Sequence, residues 1–124
     1  MRDVKKVSKD PKIAFSALAR ERQAHVLKWI WENLEYTKSI NGRSCAYNLK
    51  HQYDASFEED RYLTECEFAG ALMAAGFRHK AELIGVSRIA YSFNISQRSI
   101  LAASKRRSKL QEARRALANW EART

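Results

Sequence analysis

Cysteine and histidine are the side chains best able to bind a metal or attack a carbonyl, and Cys45, His51, Cys66 and His79 are the set to weigh first. Their spacing matches no zinc pattern, which brings ligands in close pairs along the chain. Cys45 falls on an apolar helical stripe and Cys66 in a first helical turn, so both read as packing residues. No cysteine or serine stands in a glycine-framed elbow that would expose a nucleophile. His51 and Asp54 are close in sequence but have no nucleophile to serve, and clustered carboxylates occur only in the run Glu58, Glu59, Asp60. The glycines at 42, 70, 76 and 85 are scattered and form no phosphate-cradling loop. No constellation assigns catalytic roles, so the expectation is a non-enzymatic protein without metal or cofactor.

Charge carries the positive signal. The net charge is +9, and residues 97–124 hold eight basic and two acidic side chains, whereas residues 37–96 hold seven of each. Basic charge gathered on one element is the usual footprint of a polyanion partner. A solvated basic helix that only aids solubility is the plain alternative. The candidate binding residues are Arg98, Lys105, Arg106, Arg107, Lys109, Arg114 and Arg115, with Arg88 just upstream. Cations at helical spacings would neutralise phosphates and release counterions, so binding would fall steeply with salt. Such contacts position a ligand without specifying its sequence. The expected partner is therefore nucleic acid, DNA or RNA, or an acidic protein or ribonucleoprotein surface.

The elements that would position these residues read as helices. One proline and four glycines in 124 residues leave few breaks, and 45% apolar content suits a single globular domain. No apolar run approaches the roughly 20 residues of a membrane span. The start, Met-Arg-Asp-Val-Lys-Lys, has no apolar core behind it and is not a secretory signal. Two cysteines in no framework fit a reducing cytoplasm.

Residues 1–9 read as a flexible basic tail and 10–124 as one helical domain. Asp10 and Pro11 open a long helix to about Glu35, aspartate as N-cap and proline at the first position. Its main stripe is Leu27, Ile30, Trp31 and Leu34. Trp29 falls off that stripe, as a partly buried side chain or a platform for a base. Tyr36 to Arg43 reads as a loop with a turn at Asn41-Gly42. A second helix is expected from Ser44 to Tyr53, with Cys45, Leu49 and Tyr53 inward; Arg43 and Lys50 beside Tyr47 and Tyr53 form an aromatic-basic mixture. Residues 54–63, with the acidic run at 58–60, read as a solvated loop. Thr64 and Glu67 then make a capping box, Gly76 stops the helix, and Phe77 folds back over Leu72.

Residues 77–95 support two readings. Ala81, Gly85 and Val86-Ser87 resemble the elbow of a helix-turn-helix, which would turn Ser87, Arg88 and Ser92 toward a major groove. Ile89, Tyr91, Phe93 and Ile95 alternate instead with polar or small residues, the period of an extended segment in an irregular loop. Asn94 also stands where a recognition helix would want an apolar residue. Ser96 caps the last helix, whose apolar members Leu110, Ala113, Leu117 and Trp120 recur at regular steps. A helix near 26 residues would be about 39 Å long, so its end is expected to project. The fold expectation is all-α: a compact bundle of four to five helices with long first and last members.

Arg-Ser-Cys-Ala-Tyr-Asn-Leu-Lys-His at 43–51, Glu-Phe-Ala-Gly-Ala-Leu-Met-Ala-Ala-Gly-Phe at 67–77 and Phe-Asn-Ile-Ser at 93–96 resemble small proteins encoded by bacteriophages and prophages. The resemblance transfers no site residues. It implies a bacterial cytoplasm and a phage or mobile-element role. The leading expectation is a phage-associated DNA- or RNA-binding protein. The alternatives are an inhibitor of host defence of the anti-CRISPR type and a helical module that dimerises through Leu110, Leu117 and Trp120.

Overall fold

A computed structural model describes residues 10–57, 63–84 and 88–123. Among them are five helices and three strands: α1 (Pro11–Ser16), α2 (Arg20–Asn33), β1 (Tyr36–Cys45), α3 (Ala46–Ala55), α4 (Glu65–Ala74), β2 (His79–Ile84), β3 (Arg88–Ile95) and α5 (Gln97–Arg123). The strands form one antiparallel sheet in the order β1-β3-β2. The protein is therefore mixed α/β, and the expected all-α bundle is wrong in that respect. The basic tail, the acidic run at 58–60 and Ser87 lie outside the described residues.

The first helix divides where the polar stretch at 20–23 begins. Asp10 accepts from the amides of Lys12 and Ile13, as an N-cap does, but α1 ends at Ser16. Gln23 Nε2 then donates to the carbonyls of Phe15 and Leu18, each at 3.1 Å, satisfying groups that a continuous helix would have used itself. The break lets α1 and α2 face different neighbours. α1 lies on α4, where Gly70 leaves room for the backbone of Pro11. α2 turns Val26, Trp29, Ile30 and Leu34 into the core.

The expected loop after α2 is the edge strand β1, which runs through Asn41-Gly42 with an irregular register rather than reversing there. Register shifts occur between Tyr36 and Asn41 and again between Asn41 and Cys45. Side chains make good the interrupted ladder. Asn41 Nδ2 donates to Ile95 O at 3.0 Å, and Ser44 Oγ accepts from Phe93 N–H at 2.9 Å.

α4 forms as its caps dictate. Thr64 Oγ1 accepts from Glu67 N–H at 3.1 Å and Glu67 Oε1 from Thr64 N–H at 2.9 Å, completing the capping box. At the other end Phe77 N–H donates to Leu72 O and Gly76 N–H to Met73 O, with Gly76 at φ 100°, the left-handed stop. Phe68, Ala69, Gly70, Ala71 and Leu72 are all buried, so the helix is enclosed on both sides.

The helix-turn-helix reading of 81–95 is overturned. β2 and β3 form a regular hairpin from His79↔Phe93 to Ile84↔Arg88. The alternation of Ile89, Tyr91, Phe93 and Ile95 was the better guide, and the loop expected there is an ordered sheet. Phe93 and Ile95 are fully buried, with Leu49, Tyr53, Phe68 and Leu72 in the same core. Asn94 is also buried, because its Oδ1 accepts from Arg78 N–H at 2.7 Å while its Nδ2 donates to Thr37 O at 3.1 Å. One amide thus ties the start of β1 to the segment entering β2.

Candidate nucleic-acid interface

Ser96 starts the last helix, accepting from Ser99 N–H on its Oγ at 3.1 Å. Ser99 Oγ in turn accepts from Glu35 N–H at 3.1 Å, anchoring the helix to the end of α2. Ser99, Ile100 and Ala103 are the buried residues of α5. From Lys105 onward only Arg107 and Arg114 are half-buried, and every other residue to Arg123 is exposed. Past its first two turns the helix still touches the body on one side, through Arg106 on Asn33 and Arg114 on Ser56, while its other sides are exposed.

The eight candidate cations do not share one surface. At about 100° per residue, Arg98, Lys105 and Lys109 fall within about 40° of one another. The three are exposed, and Arg98 touches only the rim of the body, its Nη2 lying 3.9 Å from Glu35 Oε1. Arg107 and Arg114 lie on the opposite side, toward the body, where Arg114 Nη2 donates to Ser56 O at 3.3 Å. Arg106 projects between these sets and is held by Asn33 Oδ1, at 2.7 Å from Nη2 and 3.1 Å from Nε. Arg115 points away from both groups at about 80° or more from either. Arg88 opens β3 at the far end of the hairpin, seven residue steps from Ile95, or about 23 Å of extended chain.

Two aromatic assignments exchange places. Trp29 is buried edge-on against Tyr53 and Phe68, so it offers no platform for a base. Trp31, assigned to the apolar stripe, is 60% exposed. It lines a cleft of about 310 Å³ between α2 and α5 together with Arg98 and Arg106, and with the carboxylates Glu32 and Glu35. Asn33, Glu35 and Trp31 escaped the sequence reading because their partners on α5 are more than sixty residues away.

The aromatic-basic mixture near residue 50 dissolves on folding. Lys50 is buried and its Nζ lies 3.1 Å from Asp54 Oδ2, while Tyr53 is in the core with its hydroxyl 2.6 Å from His25 Nδ1. The four metal candidates are spread over β1, α3, α4 and β2. No group of three or more metal-type ligands converges among the described residues. The Cys66 thiol is pushed up by burial, and further by the carboxylates of Asp10, Glu65 and Glu67.

The chain is thus a mixed α/β domain with a three-stranded antiparallel sheet and a long basic helix. Neither a protein-family model, nor a curated protein, nor a solved structure matches it. No helix among the described residues is long and apolar enough to cross a membrane.

Proposed function

We propose that the protein is a non-enzymatic nucleic-acid-binding protein that acts through α5, in the cytoplasm of a bacterium carrying a phage or related element. The observation that carries this reading is the face formed by Arg98, Lys105 and Lys109, three exposed cations on one line of α5 opposite Arg107 and Arg114. Phosphates spaced along a strand are matched by such a row, and the attraction is independent of sequence. Trp31 at the base of the row supplies an exposed ring on which a base could stack.

The element order α2-β1-α3-α4-β2-β3, with β3 central, is that of a winged helix-turn-helix. Fold likeness of this kind does not assign function. In a helix-turn-helix the second helix enters the major groove. Here that helix would be α4, and α1 covers it. The reading therefore rests on α5 and not on α4.

Fluorescence anisotropy with duplex DNA, single-stranded DNA and RNA over a salt series tests it. Replacing Arg98, Lys105 and Lys109 together by glutamine is expected to weaken binding at least tenfold. The slope of log K against log salt should fall by up to about 3, since each phosphate contact contributes about 0.9 for duplex DNA. Unchanged binding in this variant, or no binding of any nucleic acid at low salt, would remove the proposal.

A second reading, a phage-encoded inhibitor of host defence that binds a protein or ribonucleoprotein surface, is favoured by one observation. Leu110, Leu117 and Trp120 are exposed along the same helix.

A further inference from the structure

β2 is an edge strand, with β3 as its neighbour on one side in the order β1-β3-β2. Two hydrogen bonds show which of its backbone groups point outward. Asn94 N–H donates to Arg78 O at 3.1 Å, so residue 78 turns its carbonyl toward β3. Phe93 N–H donates instead to Ser44 Oγ, on the β1 side. These directions alternate along a strand, and the register pairs His79 with Phe93, Ala81 with Tyr91 and Leu83 with Ile89. Lys80 and Glu82 therefore bond to β3, while His79, Ala81 and Leu83 aim their N–H and C=O groups away from it. All of β2 is exposed, and among the described residues no hydrogen bond reaches those outward groups. An edge of this kind is a template for another strand.

The residues of the edge select the occupant. A second copy laid antiparallel, with Ala81 opposite Ala81, brings outward groups face to face at 79–83, 81–81 and 83–79. Each facing pair then exchanges two hydrogen bonds. In this register Lys80 of each copy stands opposite Glu82 of the other, at the positions where Cα atoms approach to about 4.5 Å and side chains are closest. A shift of one residue sets outward groups against inward ones. A shift of two sets Lys80 against Lys80 or Glu82 against Glu82, and like charges directly opposite are destabilising. One register thus satisfies backbone and charge together.

Leu83 fits the same register. It is 67% exposed and shares a face with His79 and Ala81, since alternate residues of a strand point the same way. In the pair it stands opposite His79 of the mate. His79 borders a groove of about 490 Å³ with apolar Ile40, Met73 and Phe77 in its lining, beside Lys12 and Arg78. The mate's Leu83 would be carried against that groove.

We propose that the protein pairs with a second copy through β2, joining the two three-stranded sheets into one across a twofold axis at Ala81. The inference goes beyond the nucleic-acid reading and uses no residue of α5.

Sedimentation equilibrium of the full-length protein over a concentration series tests it, with a monomer–dimer equilibrium expected. Ala81→Pro removes the outward N–H at the axis and spares the β2–β3 bonds, as an edge strand allows. It should weaken the dimer about tenfold or more, because both copies lose a hydrogen bond. Lys80→Glu and Glu82→Lys each oppose like charges and should give monomers. Mixed in equal amounts, these two variants regain both opposite-charge pairs and should form a heterodimer, which damaged strands would not do. Hydrogen exchange gives the positional readout: the amides of Lys80 and Glu82 should be protected at every concentration, those of His79, Ala81 and Leu83 only when the protein is concentrated. Ala81→Pro keeps every α5 cation and should still bind nucleic acid, so the two readings fail separately. A protein that remains a single chain at about 1 mM overturns the proposal. So does a dimer indifferent to Ala81→Pro and to the charge variants, or one abolished by Leu117→Asp, which would place the contact on α5.

Discussion

The carbonyl oxygen of Pro11 occupies the place where a side chain of residue 70 would begin: a Cβ built on Gly70 would lie 2.0 Å from it and 2.7 Å from Phe15 Cβ. This contact lets α1 lie directly on α4, and it makes α4 a core helix.

Gly70→Ala is therefore expected to force α1 away from α4 and to destabilise the protein by about 1–3 kcal/mol, the range for overpacking a closed site. Gly42 supplies the control. A Cβ there meets nothing within 4 Å, and Gly76 is the positive-φ glycine of the described residues. Gly42→Ala is expected to be neutral, or to stabilise by up to about 1 kcal/mol through the unfolded chain. Urea denaturation of both variants measures the contrast.

The irregular stretch of β1 is held to β3 by Ser44, which is fully buried. Its Oγ accepts from Phe93 N–H at 2.9 Å and lies 2.6 Å from the carbonyl oxygens of both Phe93 and Asn41. Ser44→Ala would leave a buried backbone amide unpaired, a loss of about 1–3 kcal/mol. The amide of Phe93 is expected to exchange faster in hydrogen-exchange measurements than its neighbours on β3.

Asn33 holds Arg106 at an exposed site, so the pair is worth less than its geometry suggests. Asn33→Ala is expected to change stability by under about 1 kcal/mol. Because it releases a cation, it should leave nucleic-acid affinity unchanged or raise it. An anisotropy titration beside a thermal melt reads both quantities.

Alkaline pH should expose the environment of Cys66. Burial, then Asp10, Glu65 and Glu67, raise the pKa of its thiol; burial, then Cys66 and Asp10, raise that of the Tyr91 phenol. In each case the folded state holds its proton where the unfolded chain has lost it. The related stability is present below the ordinary thiol and phenol values, about 8.5 and 10, and is lost as pH rises through the folded ones. Stability is expected to fall from about pH 8.5 upward, and Cys66→Ser should flatten the first part of that fall. Alkylation of native Cys66 by iodoacetamide at pH 8 should be slower than that of the same thiol in urea.

Local chemistry by itself determined α4 and the starts of α1 and α5. Thr64, Glu67, Gly76, Asp10 and Ser96 act on backbone groups within a few residues of themselves, and those bonds form wherever the chain goes. The clustering of cations after residue 97 was equally plain. The break after Ser16 and the strand at 36–45 were decided by partners far along the chain, α4 at Gly70 for the first and β3 for the second, whereas the hairpin at 79–95 pairs near neighbours and only its place beside β1 was decided from afar. Gln23 meets carbonyls left open by a helix that stops, Ser44 and Asn41 meet the backbone of β3, and Asn94 meets Thr37. The same distance separates the cations that α5 turns outward from those it spends on Asn33 and Ser56. Spacing alone places residues on a helix; which side of that helix meets water depends on the body it leaves, and that is a property of the folded chain.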